Sequence, residues 1–251
     1  MYSRNQIEQI LFLDIETASV APEFAALPEN LQQLWERKSE LLKERADEPH
    51  TPADLYKNRA AIFAEFGKVV CVSCGVIRFH EDRPTIKLKS FFGESEKDLL
   101  QALAQMLNPF TAKPDRNLCA HNGKEFDFPY LGRRYLINGL PLPTVLSDMQ
   151  TKKPWEIKLL DTMQLWKFGD YKSFTSLDLL CAVFGVPSPK EDMDGSQVGR
   201  VFWEERDYAR IARYCERDVV ATAQVLLRMC GEPLIHADDI LNAANEGSPT
   251  A

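Results

Sequence analysis

Asp14 and Glu16 stand two residues apart, where the apolar run Ile10 to Leu13 ends. On a strand that spacing sends both side chains out of one face, about 6.6 Å apart along the chain. The end of a buried strand is where α/β sheets usually hold ligands, although acids also follow strands as caps and turn residues. Far along the chain Tyr214 and Asp218 are four apart on one face of a long helix, and the stripe continues through Ala221 and Val225 toward a core. A carboxylate on such a face needs a partner. Arg213 and Arg217 lie on other faces of that helix, and a metal ion answers the need better. Asp127 opens another helix just after a short strand, where it could equally serve as an N-cap. One explanation covers these acids together: two hard divalent cations roughly 3.5 to 4 Å apart, held by carboxylates, support in-line attack on a phosphodiester.

The elements that must position these residues follow from patterning. Ile10 to Leu13 reads as a central strand buried on both faces. Ala21 to Phe66 has a different texture, with Leu31, Leu34, Leu41 and Leu42 at helical spacing among charges. Pro49 and Pro52 interrupt it, and Thr51 with Pro52 can cap a second helix carrying Leu55, Ile62 and Phe63. This is a helical insertion after the first strand. Val70, Val72, Cys74 and Val76 then alternate with their neighbours, Glu81 to Pro84 turn, and Ile86 and Leu88 alternate with Lys87 and Lys89. That is a hairpin whose second strand suits a sheet edge.

Ser95 caps a helix with Leu99, Leu103, Met106 and Leu107, ended by Pro109. Leu118 to His121 reads as a strand, Phe126 to Asn138 as a helix closed by Gly139, and Lys158 to Leu165 as another strand. Leu177 to Phe184 is a helix stopped by Gly185 and Pro187, Asp207 to Cys230 a long helix, and about 242–251 a frayed tail. The order predicts one α/β domain over residues 1–251, with a mixed five-stranded sheet flanked by helices.

Composition removes other classes. The chain is 45% apolar and 27% charged with 15 Pro and 12 Gly, which excludes disordered and collagen-like readings. The longest apolar run, Leu179 to Phe184, falls far short of the roughly 18 residues that cross a bilayer, so no membrane partner is expected. Ile10 to Leu13 is too short for a signal-peptide core, which points to the cytoplasm. Six cysteines scattered through apolar segments read as reduced core thiols. A net charge of −7 argues against a general electrostatic grip on nucleic acid and leaves room for a local one.

Phe12 to Thr17, then Asn122 with Phe126 to Leu131, then Tyr214 and Asp218 in a Tyr-x-x-x-Asp frame, resemble the three exonuclease motifs of the DEDDy branch of the DEDD superfamily. They are most similar to the 3′→5′ proofreading domain of family B DNA polymerases. Ser173 to Cys181, with Phe184-Gly185 and Pro187 to Lys190, resembles a bacterial stand-alone group of predicted exonucleases related to that domain. The resemblance runs from about residue 8 to 231. It implies an RNase H-like fold, two Mg²⁺ or Mn²⁺ ions, and release of nucleoside 5′-monophosphates. Asp14 would bridge the ions, Glu16 and Asp218 would complete one site, and Asp127 would serve the other, mainly through water. Tyr214 with Glu16 would orient the attacking water, and Tyr214 ahead of Asp218, where the histidine branch would place His, fits the tyrosine branch. Ile15, Thr17, Asn122 and Phe126 match substrate-contacting positions. Single-stranded DNA 3′ ends are the implied partner, ahead of RNA. Two departures remain, the insertion and the absence of a polymerase domain; the insertion could dock a replication or repair protein. A fold that has lost catalysis and only binds nucleic acid or a polymerase is the alternative class.

Lesser features have plainer readings. Asp161 either supports the site or is a structural hydrogen-bonding acid, and His121 reads as a satisfied strand-end histidine. Cys71 and Cys74 have a C-x-x-C spacing, but an odd offset on a strand sends them to opposite faces. Arg133, Arg134, Lys152, Lys153, Lys158, Lys167 and Lys172, with Trp155, Trp166 and Phe168, could line a groove for a single strand or simply face solvent.

Overall fold

The computed structural model describes residues 1–43, 50–170, 174–188 and 193–242. A short helix, α1 (Arg4–Ile7), leads into β1 (Ile10–Ser19), which carries Asp14 and Glu16. The segment after it contains α2 (Glu29–Lys43) and α3 (Pro52–Arg59). The hairpin follows as β2 (Gly67–His80) and β3 (Arg83–Phe92), and then α4 (Glu96–Thr111). Next come β4 (Asn117–Ala120), α5 (Asp127–Ile137), α6 (Thr144–Thr151), β5 (Leu159–Asp161), α7 (Thr162–Lys167) and α8 (Leu177–Phe184). The described chain closes with α9 (Val198–Arg200), α10 (Tyr208–Cys230) and β6 (Ile240–Asn242). The strands form one sheet in the order β5-β4-β1-β2-β3-β6. β1 runs antiparallel to β2 and parallel to β4, so the sheet is mixed, as expected of an RNase H-like exonuclease fold.

Alternation along β1 divides the core. Leu11, Leu13 and Ile15 face a layer made by α4, α5 and α6, with Leu100, Leu103, Phe128 and Leu131 among its buried residues. Ile10 and Phe12 face α10 through Val219, Ala223 and Leu226. Asp14 and Glu16 continue that second phase, so both carboxylates point to the α10 side. The ladder to β2 pairs Asp14 with Ser73 and Glu16 with Cys71, then shifts so that Thr17 pairs with Val69. Val70 is the extra residue of this bulge, and it joins Cys71 in the cluster on the α10 side while Val69 and Val72 face the other.

The insertion has a small core of its own, built on Trp35, Leu55, Tyr56 and Phe66. Thr51 caps α3 as expected, its hydroxyl accepting from Asp54 N at 3.1 Å. α5 holds the far end of the insertion: the Tyr130 hydroxyl donates to Ala61 O at 2.8 Å and Arg134 Nη1 to Ala64 O at 2.8 Å.

Several expectations are corrected. The sheet has six strands rather than five, because Ile240–Asn242 pairs parallel with Ile86–Leu88. The lysine-bearing β3 is therefore covered at its edge there, by a strand too short to show alternation. The strand expected over Lys158 to Leu165 stops at Asp161, whose Oδ1 accepts from Met163 N and Gln164 N and so turns the chain into α7. α4 runs past Pro109 to Thr111, since a proline this near the helix end forfeits only one intrahelical bond. α3 ends at Arg59, leaving Ile62 and Phe63 in the following turn, and α6 had no counterpart in the sequence reading. The tail expected from about 242 lies outside the described residues beyond Asn242. No helix among the described residues is long and apolar enough to cross a membrane.

Candidate metal centre

β4 pairs with β1 only as far as Phe12, so the N–H of Ile15 lies beyond its reach on that side. Asp127 takes the place of the missing strand, its Oδ1 accepting from Ile15 N at 3.2 Å. The N-cap reading of Asp127 is thereby set aside: Phe126 is the N-cap residue of α5, and the Asp127 carboxylate reaches across to β1. From the opposite layer α10 presents Tyr214, Cys215 and Asp218 on one face, and the Tyr214 hydroxyl is hydrogen-bonded to the Asp218 carboxylate. The structure therefore gathers Asp14, Glu16, Asp127, Tyr214 and Asp218, drawn from β1, α5 and α10, midway along β1; the central strand does not end at Leu13 as expected but continues to Ser19 on β2, and only its pairing with β4 stops short of the acids.

The electrostatics follow from that crowding. Burial pushes the Asp14 carboxyl well above the usual carboxylate range, and Asp218, Asp127 and Glu16 push it further. Glu16 is raised in the same direction by burial, then by Asp218, Cys71 and Asp127. Asp127 is raised to about 7 by burial, even though its own N–H and that of Ile15 pull the other way. Tyr214 is held protonated by burial and by Asp218, Glu16 and Asp14. Glu16 is 7% exposed and accepts no hydrogen bond and forms no ion pair among the described residues. Buried carboxylates that raise one another in this way are a donor set for divalent cations. The fit is one of chemistry: carboxylate oxygens from several elements gathered at one place.

The other sequence candidates divide. Asn122 adopts a left-handed backbone, φ 59°, which asparagine tolerates. Its N–H donates to Asp161 Oδ1 at 3.0 Å, and its own Oδ1 is buried without a partner. Phe126 packs on Tyr130 at 5.4 Å between ring centroids, and the Thr17 side chain is hydrogen-bonded to the Tyr130 hydroxyl. Ile15 departs from its expected substrate role: its side chain is buried in the core, and its N–H holds Asp127. Arg134 is withdrawn from the basic groove, because it forms a buried bidentate pair with Glu96 at 2.8 and 2.5 Å. Trp166 packs edge-to-face on Phe184 at 5.5 Å, whereas Trp155 and Phe168 are exposed. Lys172 lies outside the described residues, as do Ser173 and the Pro189-Lys190 end of the quoted motif.

Asp161 is the structural acid. Besides capping α7 it accepts from Asn122 N and from Lys124 N at 3.1 Å, and so fixes the loop that delivers Asp127. His121 is satisfied on both nitrogens, by Thr162 Oγ1 at 2.9 Å and Thr175 O at 3.0 Å. All six cysteines are free, and Cys71 and Cys74 belong to clusters on opposite faces of the sheet. Cys215, which the sequence presents as one of six core thiols, lies with the gathered acids, its Sγ 3.4 Å from Asp14 Oδ2. Its signal was there, in the i,i+3 spacing to Asp218 that places both on one helix face.

A family model described as a predicted 3′-5′ exonuclease related to the exonuclease domain of PolB matches residues 62–234, more than half of the chain. No curated protein matches it. The matched span holds Asp127, Tyr214 and Asp218; Asp14 and Glu16 precede it and join them through the sheet.

Proposed function

The chain belongs to the family of predicted 3′-5′ exonucleases related to the exonuclease domain of PolB, and from that premise we propose that it hydrolyses the terminal phosphodiester at the 3′ end of single-stranded DNA, releasing nucleoside 5′-monophosphates. Two Mg²⁺ or Mn²⁺ ions are its cofactors, with Asp14, Glu16, Asp127 and Asp218 as their ligands. The observation that carries this reading is the convergence of those four acids from three elements, with Glu16 buried and unpartnered among them. When bound, the ions neutralise phosphate charge and lower the pKa of a coordinated water.

The chain's own groups supply position. Tyr214 keeps its proton in this acidic surrounding, so it acts as a hydrogen-bonding group that orients water, together with Glu16, and not as a base. Thr17, Asn122 and Phe126 line the approach for the terminal nucleotide, a reading supported by Asn122 Oδ1, an acceptor buried without a partner. The whole of residues 1–251 works as one domain. Its insertion stands beside the site because α5, which carries Asp127, holds Ala61 and Ala64. That placement makes it the surface for a replication or repair partner, and six free cysteines suit a reducing cytoplasm.

Matched end-labelled DNA and RNA single strands, incubated with Mn²⁺ or Mg²⁺, test the reading through the product ladder. Stepwise shortening of DNA from the 3′ end supports it. Preferential shortening of RNA makes the protein an RNA-trimming enzyme of the same chemistry. Binding without shortening, by a folded protein that takes up metal, makes it an accessory.

A further inference from the structure

Cys215 shares a corner with two of the acids. Its Sγ lies 3.3 Å from the Asp14 carbonyl oxygen and 3.4 Å from Asp14 Oδ2. Ligand atoms of Asp14, Glu16 and Cys215 all lie within 4.8 Å of one another. Glu16 is the independent pointer, a side chain more than nine-tenths buried whose carboxylate has no protein partner among the described residues and is aimed into this corner. Metal bonds of about 2.3 Å to sulfur and 2.0 to 2.2 Å to carboxylate oxygen give a tetrahedral edge of roughly 3.5 Å. The Sγ to Oδ2 separation is already that of one such edge.

Mg²⁺ has no use for sulfur, since it demands near-octahedral oxygen ligands and keeps several waters. A thiolate with two carboxylates suits a softer ion, and intrinsic affinities rank Zn²⁺ above Mn²⁺. We propose that Asp14, Glu16 and Cys215 form a site for one thiophilic divalent cation of the Zn²⁺ class, which occupies the centre in place of the ions that support hydrolysis and holds it inactive. The proposal deepens the metal-centre reading above and rests on it. As the sulfur–metal bond forms, the thiol proton leaves to solvent. Asp14 and Glu16 are then engaged by the closed ion, so the harder ions lose two of their ligands. Cys71, whose Sγ is 3.7 Å from Ser73 Oγ and which neighbours Cys215, is the comparison residue.

Cd²⁺ is the probe, because thiolate-to-cadmium charge transfer absorbs in the ultraviolet and reports the sulfur ligand without any turnover. The full chain, stripped with chelator, should bind one Cd²⁺ with such a band, and Zn²⁺ should abolish the band by displacement. Cys215→Ser should remove the band and weaken Cd²⁺ binding at least about tenfold, while Cys71→Ser keeps both. Mn²⁺ should still raise the melting temperature of Cys215→Ser, because the carboxylates remain. Cys215→Ala gives the same reading if serine disturbs folding. A band that survives in a folded Cys215 variant overturns the proposal, as does its absence from a parent that Mn²⁺ stabilises; in both cases the exonuclease reading stands. A parent that Mn²⁺ fails to stabilise overturns the metal-centre reading itself, whatever Cd²⁺ does.

Discussion

Asp127→Asn separates a metal ligand from a structural acid with little change of shape, because an asparagine Oδ1 still accepts from Ile15 N. Burial lifts the folded-state carboxyl from 3.8 to about 7. Below pH 3.8 it is protonated both folded and unfolded. As pH rises toward 7 the unfolded chain sheds a proton that the folded chain retains, so the metal-free fold loses stability across that window. A gap of about 3 pH units at roughly 1.4 kcal/mol each sets the loss near 4 kcal/mol. In EDTA at pH 8 the variant should therefore melt above the parent by roughly 8 °C, taking about 2 °C per kcal/mol for a chain of this size. The advantage should fall below half by about pH 5 and nearly vanish at about pH 4. Saturating Mn²⁺ should narrow or reverse it, since a ligand of the folded state stabilises the parent more. Circular dichroism melts from pH 4 to 8, with EDTA and with Mn²⁺, read all of this. A variant that melts below the parent in EDTA at pH 8 and keeps the full Mn²⁺ response would refute the reasoning, for it would show an acid that serves the fold alone.

Tyr214→Phe should keep detectable exonuclease activity, reduced roughly 10²- to 10⁴-fold as for a lost acid/base or positioning group, while Asp14→Ala should fall to background; equal, complete loss in two folded variants contradicts the positioning role. Asp161→Ala strips acceptors from Asn122 N, Lys124 N, Met163 N and Gln164 N; it should cost on the order of 2 to 4 kcal/mol in urea unfolding and lower activity even after stability is restored by working in the cold. Asp161→Asn, which retains the Oδ1 contacts, should cost less than half as much, and equal effects of the two would sink the clamp. Replacing residues 24–58 by a short linker, with Ala61 and Ala64 kept for Tyr130 and Arg134, should alter the preference for single over double strands; an unaltered preference in a folded deletion leaves the insertion without a role at the site.

What could be read from the chain tracks how local the determining physics is. Asp14 and Glu16 were legible because period two fixes their common face, and Tyr214 with Asp218 because period four fixes theirs. The caps at Thr51 and Ser95 were equally local. Met163 to Leu165 misled because two apolar residues around Gln164 are too few to tell one period from the other, and only the Asp161 carboxylate decides between them. Ile240–Asn242 became a strand through pairing with β3, which three residues cannot announce. Arg134 looked like its neighbour Arg133 in sequence, yet one is buried against Glu96 and the other exposed; charge alone carries no burial. Cys215 lay beside a motif tyrosine and was read as core filler, since nothing short of the fold brings it to Asp14.

The bulge at Val70 bears on how this scaffold tolerates change in length. A strand that gains or loses one residue turns every later side chain to the opposite face. Here the slack lies opposite the junction of Glu16 and Thr17, downstream of both carboxylates and at the point where β2 returns from the insertion. The pairs Asp14 with Ser73 and Glu16 with Cys71 lie on the far side of that unpaired residue from the insertion, so a slip of register beyond it leaves both carboxylates facing α10. The stretch between Ser19 and Gly67 thus joins the sheet through a joint that can yield by one residue while Asp14 and Glu16 keep their aim.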